Sequence, residues 1–253
     1  MLIFLEDNDV VAQRALEMSA NSLAKLSGSI AHEIRNPLAA ISHAAQLLAE
    51  SEDISETDRR LINIIHSQSR RMNDIVENIL QLSRREKSRP DLLNLKTWLN
   101  EITNEFKATF PVMTIDMITD LDEDDVWVLF DRGQLHQVVW KLMENAIQHA
   151  GYETNVASVK IKMKHLPGTG YCVITVEDNG PGIPEQQIEH IFEPFYTTDK
   201  LGSGLGLYIA RQLCEVNQAE LTVDSSPGKG TRFHIRVALV RSDTQQPTEI
   251  VTL

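Results

Sequence analysis

Apolar residues recur at Leu23, Leu26, Ile30, Ile34, Leu38, Ile41, Ala45 and Leu48 in steps of three and four, the spacing of one stripe along a long α-helix. After a polar break from Ser51 to Thr57, a second series of Leu61, Ile65, Met72, Ile75, Ile79 and Leu82 keeps that spacing as far as Arg84-Arg85. Two such helices joined by a short turn predict an antiparallel hairpin. One hairpin offers only a thin core, so two copies are expected to pair as a homodimeric four-helix bundle. The pattern changes beyond Lys87-Ser88-Arg89-Pro90, because the residue before a proline leaves the helical region and the later segments alternate between strand and helix signals. A domain boundary is therefore placed near residue 88. Val112–Ile118 and Val126–Phe130 predict strands, and Asp131 a cap for a helix reaching about Ala150. Val156–Lys164 and Tyr171–Glu177 predict neighbouring strands joined at Pro167-Gly168, with more strand at Leu221–Val223 and Arg232–Ala238. Three glycine-bearing segments, Asp178–Gly182, Gly202–Gly206 and Gly228–Gly230, lie between these elements, and residues 242–253 read as a disordered tail.

With 253 residues the chain has room for two domains, each with its own core. A net charge of −12 argues against direct nucleic-acid binding, since phosphates would be repelled. Two cysteines, Cys172 and Cys214, and no apolar run near the roughly 20 residues of a membrane span fit a reducing, aqueous setting for this stretch. The opening Met1-Leu2-Ile3-Phe4-Leu5 runs straight into Glu6 and Asp7 and is too short for a signal-peptide core. Residues 1–20 read instead as the end of an upstream sensor module or linker.

Several residues carry chemistry. His32 and Glu33 lie off the apolar stripe of the first helix, so that an imidazole and a carboxylate sit together on its open side. A neutral imidazole nitrogen attacks phosphorus well at pH 7, and the adjacent carboxylate can take the proton from the other ring nitrogen. Asn36, one turn on, shares that face and can hold a water. Pro37 removes a helical hydrogen bond to the Glu33 carbonyl, which favours a bend near His32. A zinc-protease helix is the weaker reading, because Asn36 stands where the second histidine belongs. Asp178-Asn179-Gly180-Pro181-Gly182 follows a strand, so its glycines admit a flat ligand while the carboxylate accepts from an exocyclic amine, as adenine would offer. Gly202-Ser203-Gly204-Leu205-Gly206-Leu207 opens a helix and exposes amides to phosphate. No strand directly precedes that segment, which argues against a dinucleotide fold. Asn145, in mid-helix, can offer its amide oxygen to Mg²⁺. Taken singly, each of these glycine turns and the Asn145 amide is equally an ordinary structural feature.

Their combination is specific. Ser29-Ile30-Ala31-His32-Glu33-Ile34-Arg35-Asn36-Pro37-Leu38 resembles the phosphoacceptor box of sensor histidine kinases. Gln137–Ala150, Asp178–Gly182, Phe192-Glu193-Pro194-Phe195, Gly202–Leu207 and Gly228–Thr231 resemble, in order, the N, G1, F, G2 and G3 boxes of that family's ATPase domain. The resemblance extends from about Asn21 to Leu239. It implies a dimerisation and phosphotransfer hairpin over 21–88 and a catalytic α/β sandwich of the gyrase, Hsp90, histidine-kinase and MutL type over 89–241. It also implies autophosphorylation of His32 from ATP, followed by transfer to an aspartate of a response-regulator receiver domain, as in an NtrC-like activator, with a phosphatase activity in reserve. His32, Glu33 and Asn36 would be catalytic. The nucleotide would meet Asn145, His149, Asp178, Gly180, Gly182, Ile183, Phe195, Thr197, Thr198, Lys200, Gly202, Gly204, Leu205, Gly206, Leu207 and Thr231, with Asn145 also on Mg²⁺. A polar lid, Tyr196-Thr197-Thr198-Asp199-Lys200, is expected between Phe192 and Gly206. Phe4-Leu5-Glu6-Asp7 and Ile41–Leu48 resemble the type IV pilus branch of these kinases, which implies the cytoplasmic part of an inner-membrane sensor, outside the membrane itself.

The resemblance is incomplete. Lys141 stands where the family's N box usually has its first asparagine, Gln148 where many relatives have a phosphate-contacting lysine, and the lid lysine is shifted to follow Asp199. Lys141 shares a helix face with Asn145 and offers no lone pair, so its ammonium is expected near the phosphates or the metal. Two alternatives follow: an ATP-driven clamp, which would need a glutamate base where Lys141 stands, and a signalling dimer that binds nucleotide with weak or no transfer.

Overall fold

The computed structural model describes residues 27–50, 55–84, 88–110, 115–121, 126–150, 157–199 and 202–240. The expectations for residues 1–20, the hairpin turn and the C-terminal tail lie outside these. The chain separates into two compact units, one holding the helical hairpin with Ile191–Ile209, the other Ser88–His190 with Ala210 onward. One change of unit falls at Lys87–Ser88. Ile191–Ile209 contributes no strand to the sheet.

The hairpin consists of α1 (Ser27–Ala49) and α2 (Glu56–Arg84), packed along each other. Helix α1 continues through Pro37. Helix α2 starts on a reciprocal cap: the Ser55 hydroxyl accepts from the Asp58 amide at 3.1 Å and donates to the Asp58 carboxylate at 2.7 Å. The faces that meet are narrower than the apolar stripes. On α1, Leu38 and Ala45 are buried whereas Ile34, Ile41 and Leu48 are exposed. On α2 the buried seam is Ile62, Ser69 and Val76, steps of seven, and the stripe residues Leu61, Ile65 and Met72 stay open. At ~100° per residue the open positions lie roughly 40–100° to one side of each seam. Each apolar sector thus exceeds what one partner helix can cover, and the surplus from both helices is left exposed in the single chain.

In the second unit, β1 (Asp91–Asn94) pairs antiparallel with β3 (Trp127–Phe130). A five-stranded sheet has the order β2-β4-β5-β7-β6, formed by β2 (Ile115–Leu121), β4 (Ala157–Leu166), β5 (Tyr171–Asp178), β6 (Glu220–Ser225) and β7 (Thr231–Ala238). Only the β2–β4 pair is parallel; β4 and β5 form the expected hairpin. The helices α3 (Leu95–Thr109) and α4 (Arg132–His149) are capped by Asn94 and Asp131, whose side chains accept from the amides three residues on, each at 3.0 Å. The sequence reading did not mark β1 or α3, although Asn94 followed by Leu95, Leu99, Ile102 and Phe106 carries the signal; all four apolar residues are buried. The core lies between the helices and one sheet face, where Leu135, Val139, Leu142 and Met143 of α4 pack with α3 and with Ile161, Met163, Ile174, Val176 and Ile235 of the sheet. Among the described residues two shorter helices remain, α5 (Glu185–Ile188) and α6 (Gly206–Val216). The opposite sheet face carries a charged ladder in which Glu177 pairs with Lys162 and Arg232, and Glu220 with Arg236.

Candidate active site

At the end of β5 the chain leaves the sheet through Asp178, which is only 8 % exposed. Its Oδ1 accepts from the Gly180 amide at 2.8 Å and the Thr231 amide at 3.2 Å. The carboxylate therefore ties the turn after β5 to the start of β7. Burial pushes the Asp178 carboxyl above the usual aspartate range, against the opposing pull of those two amides and of nearby His149. The two turns touch backbone to backbone. A Cβ at Gly230 would overlap the Asp178 carbonyl oxygen, and one at Gly182 the Ser226 carbonyl oxygen; both glycines have φ of +73°. A Cβ at Gly180 would stand 2.7 Å from the carbonyl oxygen of His149, so the end of α4 adjoins the same turn.

Ser225, which the sequence reading missed, joins the pieces. Its hydroxyl accepts from the Ile183 amide at 2.8 Å, donates to the Gly230 carbonyl at 2.8 Å and lies 3.1 Å from the Thr231 hydroxyl. A serine at a strand end gives no pattern that separates this role from ordinary turn chemistry. Thus Asp178, Gly180, Gly182, Ile183 and Thr231 are brought together around one buried carboxylate, with the backbone of His149 beside them.

Asn145 lies on α4 one turn before His149. A single amide oxygen with phosphate and water completing the shell is an acceptable donor set for Mg²⁺, which keeps most of its waters and uses few protein ligands. Lys141 is held by its own helix: Nζ lies 3.1 Å from Glu144 Oε2, and the Trp140 indole donates to Glu144 Oε1 at 3.0 Å. The ammonium thus pairs along α4, because Glu144 is the carboxylate within reach at i+3.

The segment between Phe195 and Leu207 has its own frame. The Phe195 amide donates to the Gly204 carbonyl at 2.9 Å, with Phe195 at φ +68° and Gly204 at +70°. A Cβ at Gly204 would overlap the Phe195 backbone. Within that neck, the Thr197 hydroxyl accepts from the Asp199 amide at 3.1 Å, and the Gly202 amide donates to the Asp199 carbonyl at 3.3 Å. Thr198 is exposed, Leu205 is fully buried at the start of α6, and Lys200 lies outside the described residues. Gly206 and Leu207 form the first turn of α6. His32, Glu33 and Asn36 fall within α1; Asn36 is exposed, and the side chains of His32 and Glu33 are outside the described residues.

Comparison with known proteins places these features in sequence families. The His Kinase A (phospho-acceptor) domain matches residues 22–88, and the histidine kinase-, DNA gyrase B- and HSP90-like ATPase matches residues 130–241. The sensor protein kinase PilS of Pseudomonas aeruginosa is 42% identical over 238 residues, 94% of this chain and 45% of PilS. The chain thus spans less than half the length of that relative. The solved complex of histidine kinase ThkA with response regulator protein TrrA is similar with a TM-score of 0.64 and 28% identity, over 92% of this chain and 66% of that one. Full-length ShkA in complex with AMPPNP has a TM-score of 0.66 at 21% identity, over 85% of this chain and 45% of that one, a likeness of fold.

Asp178→Asn keeps an oxygen facing the Gly180 and Thr231 amides. The folded pKa of Asp178 is raised, so its ionised form costs stability above that pKa, and the cost is lost as pH falls through it. The variant is expected to be at least as stable as the parent without nucleotide near pH 7 and to lack that part of the pH dependence. Thermal unfolding across roughly pH 4–8 checks this; a Tm lowered by more than about 5 °C would contradict it.

Proposed function

The chain belongs to the sensor histidine kinase family, and on that premise we propose that it moves the γ-phosphoryl group of ATP onto His32 and then onto an aspartate of a response-regulator receiver domain. The observation that carries this reading is the buried Asp178 carboxylate, whose two amide bonds both fall on Oδ1. Oδ2 is then the acceptor for the adenine 6-amine. A carboxylate offers no donor, so it selects an amine over the carbonyl of guanine. The amides at the start of α6 and the neck at Phe195–Gly204 are assigned to the phosphates, and Asn145 to Mg²⁺. When bound, the metal neutralises phosphate charge.

A ring nitrogen of His32 attacks the γ-phosphorus, the bond from phosphorus to the bridging oxygen breaks, and ADP leaves with that electron pair. Glu33 takes the proton from the other ring nitrogen. Asn36 is assigned the water that removes the phosphoryl group from the aspartate. The exposed Ile34, Ile41, Leu48, Leu61, Ile65 and Met72 support a second copy as the partner of the hairpin, completing a four-helix bundle. An NtrC-like activator remains the proposed downstream partner, and the identity to PilS supports placing this chain in the branch that the sequence resembles. Among the described residues no helix is long and apolar enough to cross a membrane. The chain is read as a cytoplasmic part of an inner-membrane sensor.

Labelling with γ-labelled ATP and Mg²⁺ should give an acid-labile, alkali-stable product that His32→Gln abolishes while ATP affinity stays near the parent value. Persistent label in that variant would move the acceptor elsewhere.

The second reading, a nucleotide-binding dimer with weak transfer, rests on Lys141. Its partly exposed pair with Glu144 is worth no more than about 1 kcal/mol, so the ammonium remains available to turn from it. Lys141→Asn is expected to raise the single-turnover rate and lower the magnesium midpoint. An unchanged rate and midpoint would show that Lys141 plays no part at the site.

A further inference from the structure

Asn217 follows the last turn of α6, and its carboxamide is used completely. Oδ1 accepts from the Ser88 hydroxyl at 2.6 Å and from the Asp131 backbone amide at 3.0 Å. Nδ2 donates to Gln134 Oε1 at 2.6 Å and to the Leu213 carbonyl at 2.8 Å. An amide has two donors and two acceptor lone pairs, so all four are engaged, each by a different residue. Asp131 extends the group, since its Oδ1 caps α4 at Gln134 and its Oδ2 accepts from the Arg89 amide at 2.9 Å.

Three parts of the chain meet here. Ser88 and Arg89 are the first residues of the second unit, where the polypeptide arriving from α2 enters it. Asp131 and Gln134 form the first turn of α4, the helix that carries Asn145 and His149. Leu213 belongs to the last turn of α6, the helix that opens with Gly206 and Leu207. Asn217 therefore holds both helices at the ends remote from their nucleotide residues, roughly 17–27 Å away along α4 and roughly 9–17 Å along α6 at ~1.5 Å per residue. A helix is stiff over that length, so a tilt imposed at one end reaches the other.

We propose that Asn217 is a positioning residue through which the connection arriving at Ser88 sets the orientation of the two nucleotide-bearing helices, and with it the rate of phosphoryl transfer. The inference rests on the kinase reading above. Ser88 is the input: its hydroxyl bond engages Asn217 from the connecting segment without being needed to cap either helix.

The test uses the full chain. Ser88→Ala should slow single-turnover labelling by roughly 2–10-fold, the range of one lost hydrogen bond, with ATP affinity within about twofold of the parent. Ser88→Thr, which keeps the hydroxyl, should restore the rate. Asn217→Asp keeps both acceptors and loses both donors. It should slow transfer further, and Ser88→Ala added to it should change little, because the two act along one path. Hydrogen exchange should show faster opening at 131–135 and 213–217 in Ser88→Ala. A Ser88→Ala protein labelled at the parent rate, or unchanged in exchange there, would overturn the inference and leave the kinase reading standing. A parent protein that takes no label would sink the kinase reading and this inference with it.

Discussion

A carboxylate buried at the end of β5 is the constraint around which the second unit is arranged. Asp178 is nearly inaccessible, and burial works against its ionised form. Two backbone amides on Oδ1 offset part of that cost, and they come from turns far apart in sequence, at Gly180 and Thr231. For both to reach one oxygen the turns must come into backbone contact, and a Cβ at Gly182 or Gly230 would prevent it. The glycines are thus required by the approach of the two turns. Ser225 fixes the approach from the opposite side by bonding to both turns.

The same site shows where sequence reasoning reaches and where it stops. The Asp131 cap, the β4–β5 hairpin and the residues around Asp178 were legible, because each depends on a local pattern: a capping residue before a helical run, alternation about Pro167-Gly168, glycines after a strand. The hairpin seam was not. Ser69 occupies its centre, and an apolar count passes over a serine, so the series Leu61, Ile65 and Met72 drew the stripe to a face that the hairpin leaves open. Asn217 and Ser225 were equally hidden. Each has partners far away in the chain, Ser88 at 129 residues from Asn217 and Ile183 at 42 from Ser225, and nothing in the spacing marks a polar residue by such bonds.

Lys141 illustrates a further limit. Sequence alone placed its charge towards phosphate or metal because Asn145 lies one turn on. The geometry adds Glu144 between them in sequence, holding the ammonium at i+3 and the Trp140 indole at i+4. That pair is local and partly exposed, so it supplies a resting position for the charge and does not exclude it from the site.

The central claim is that the buried Asp178 carboxylate reads the adenine amine for a transfer that ends on a histidine. The most direct test compares single-turnover labelling by γ-labelled ATP with labelling by the γ-labelled triphosphate of purine riboside, which lacks the 6-amine. The account predicts an alkali-stable, acid-labile label from ATP and at least tenfold slower labelling from the analogue at equal subsaturating concentration, about 1.4 kcal/mol for the lost charge-assisted bond. Equal labelling by the two nucleotides, or a label stable to acid, would contradict it.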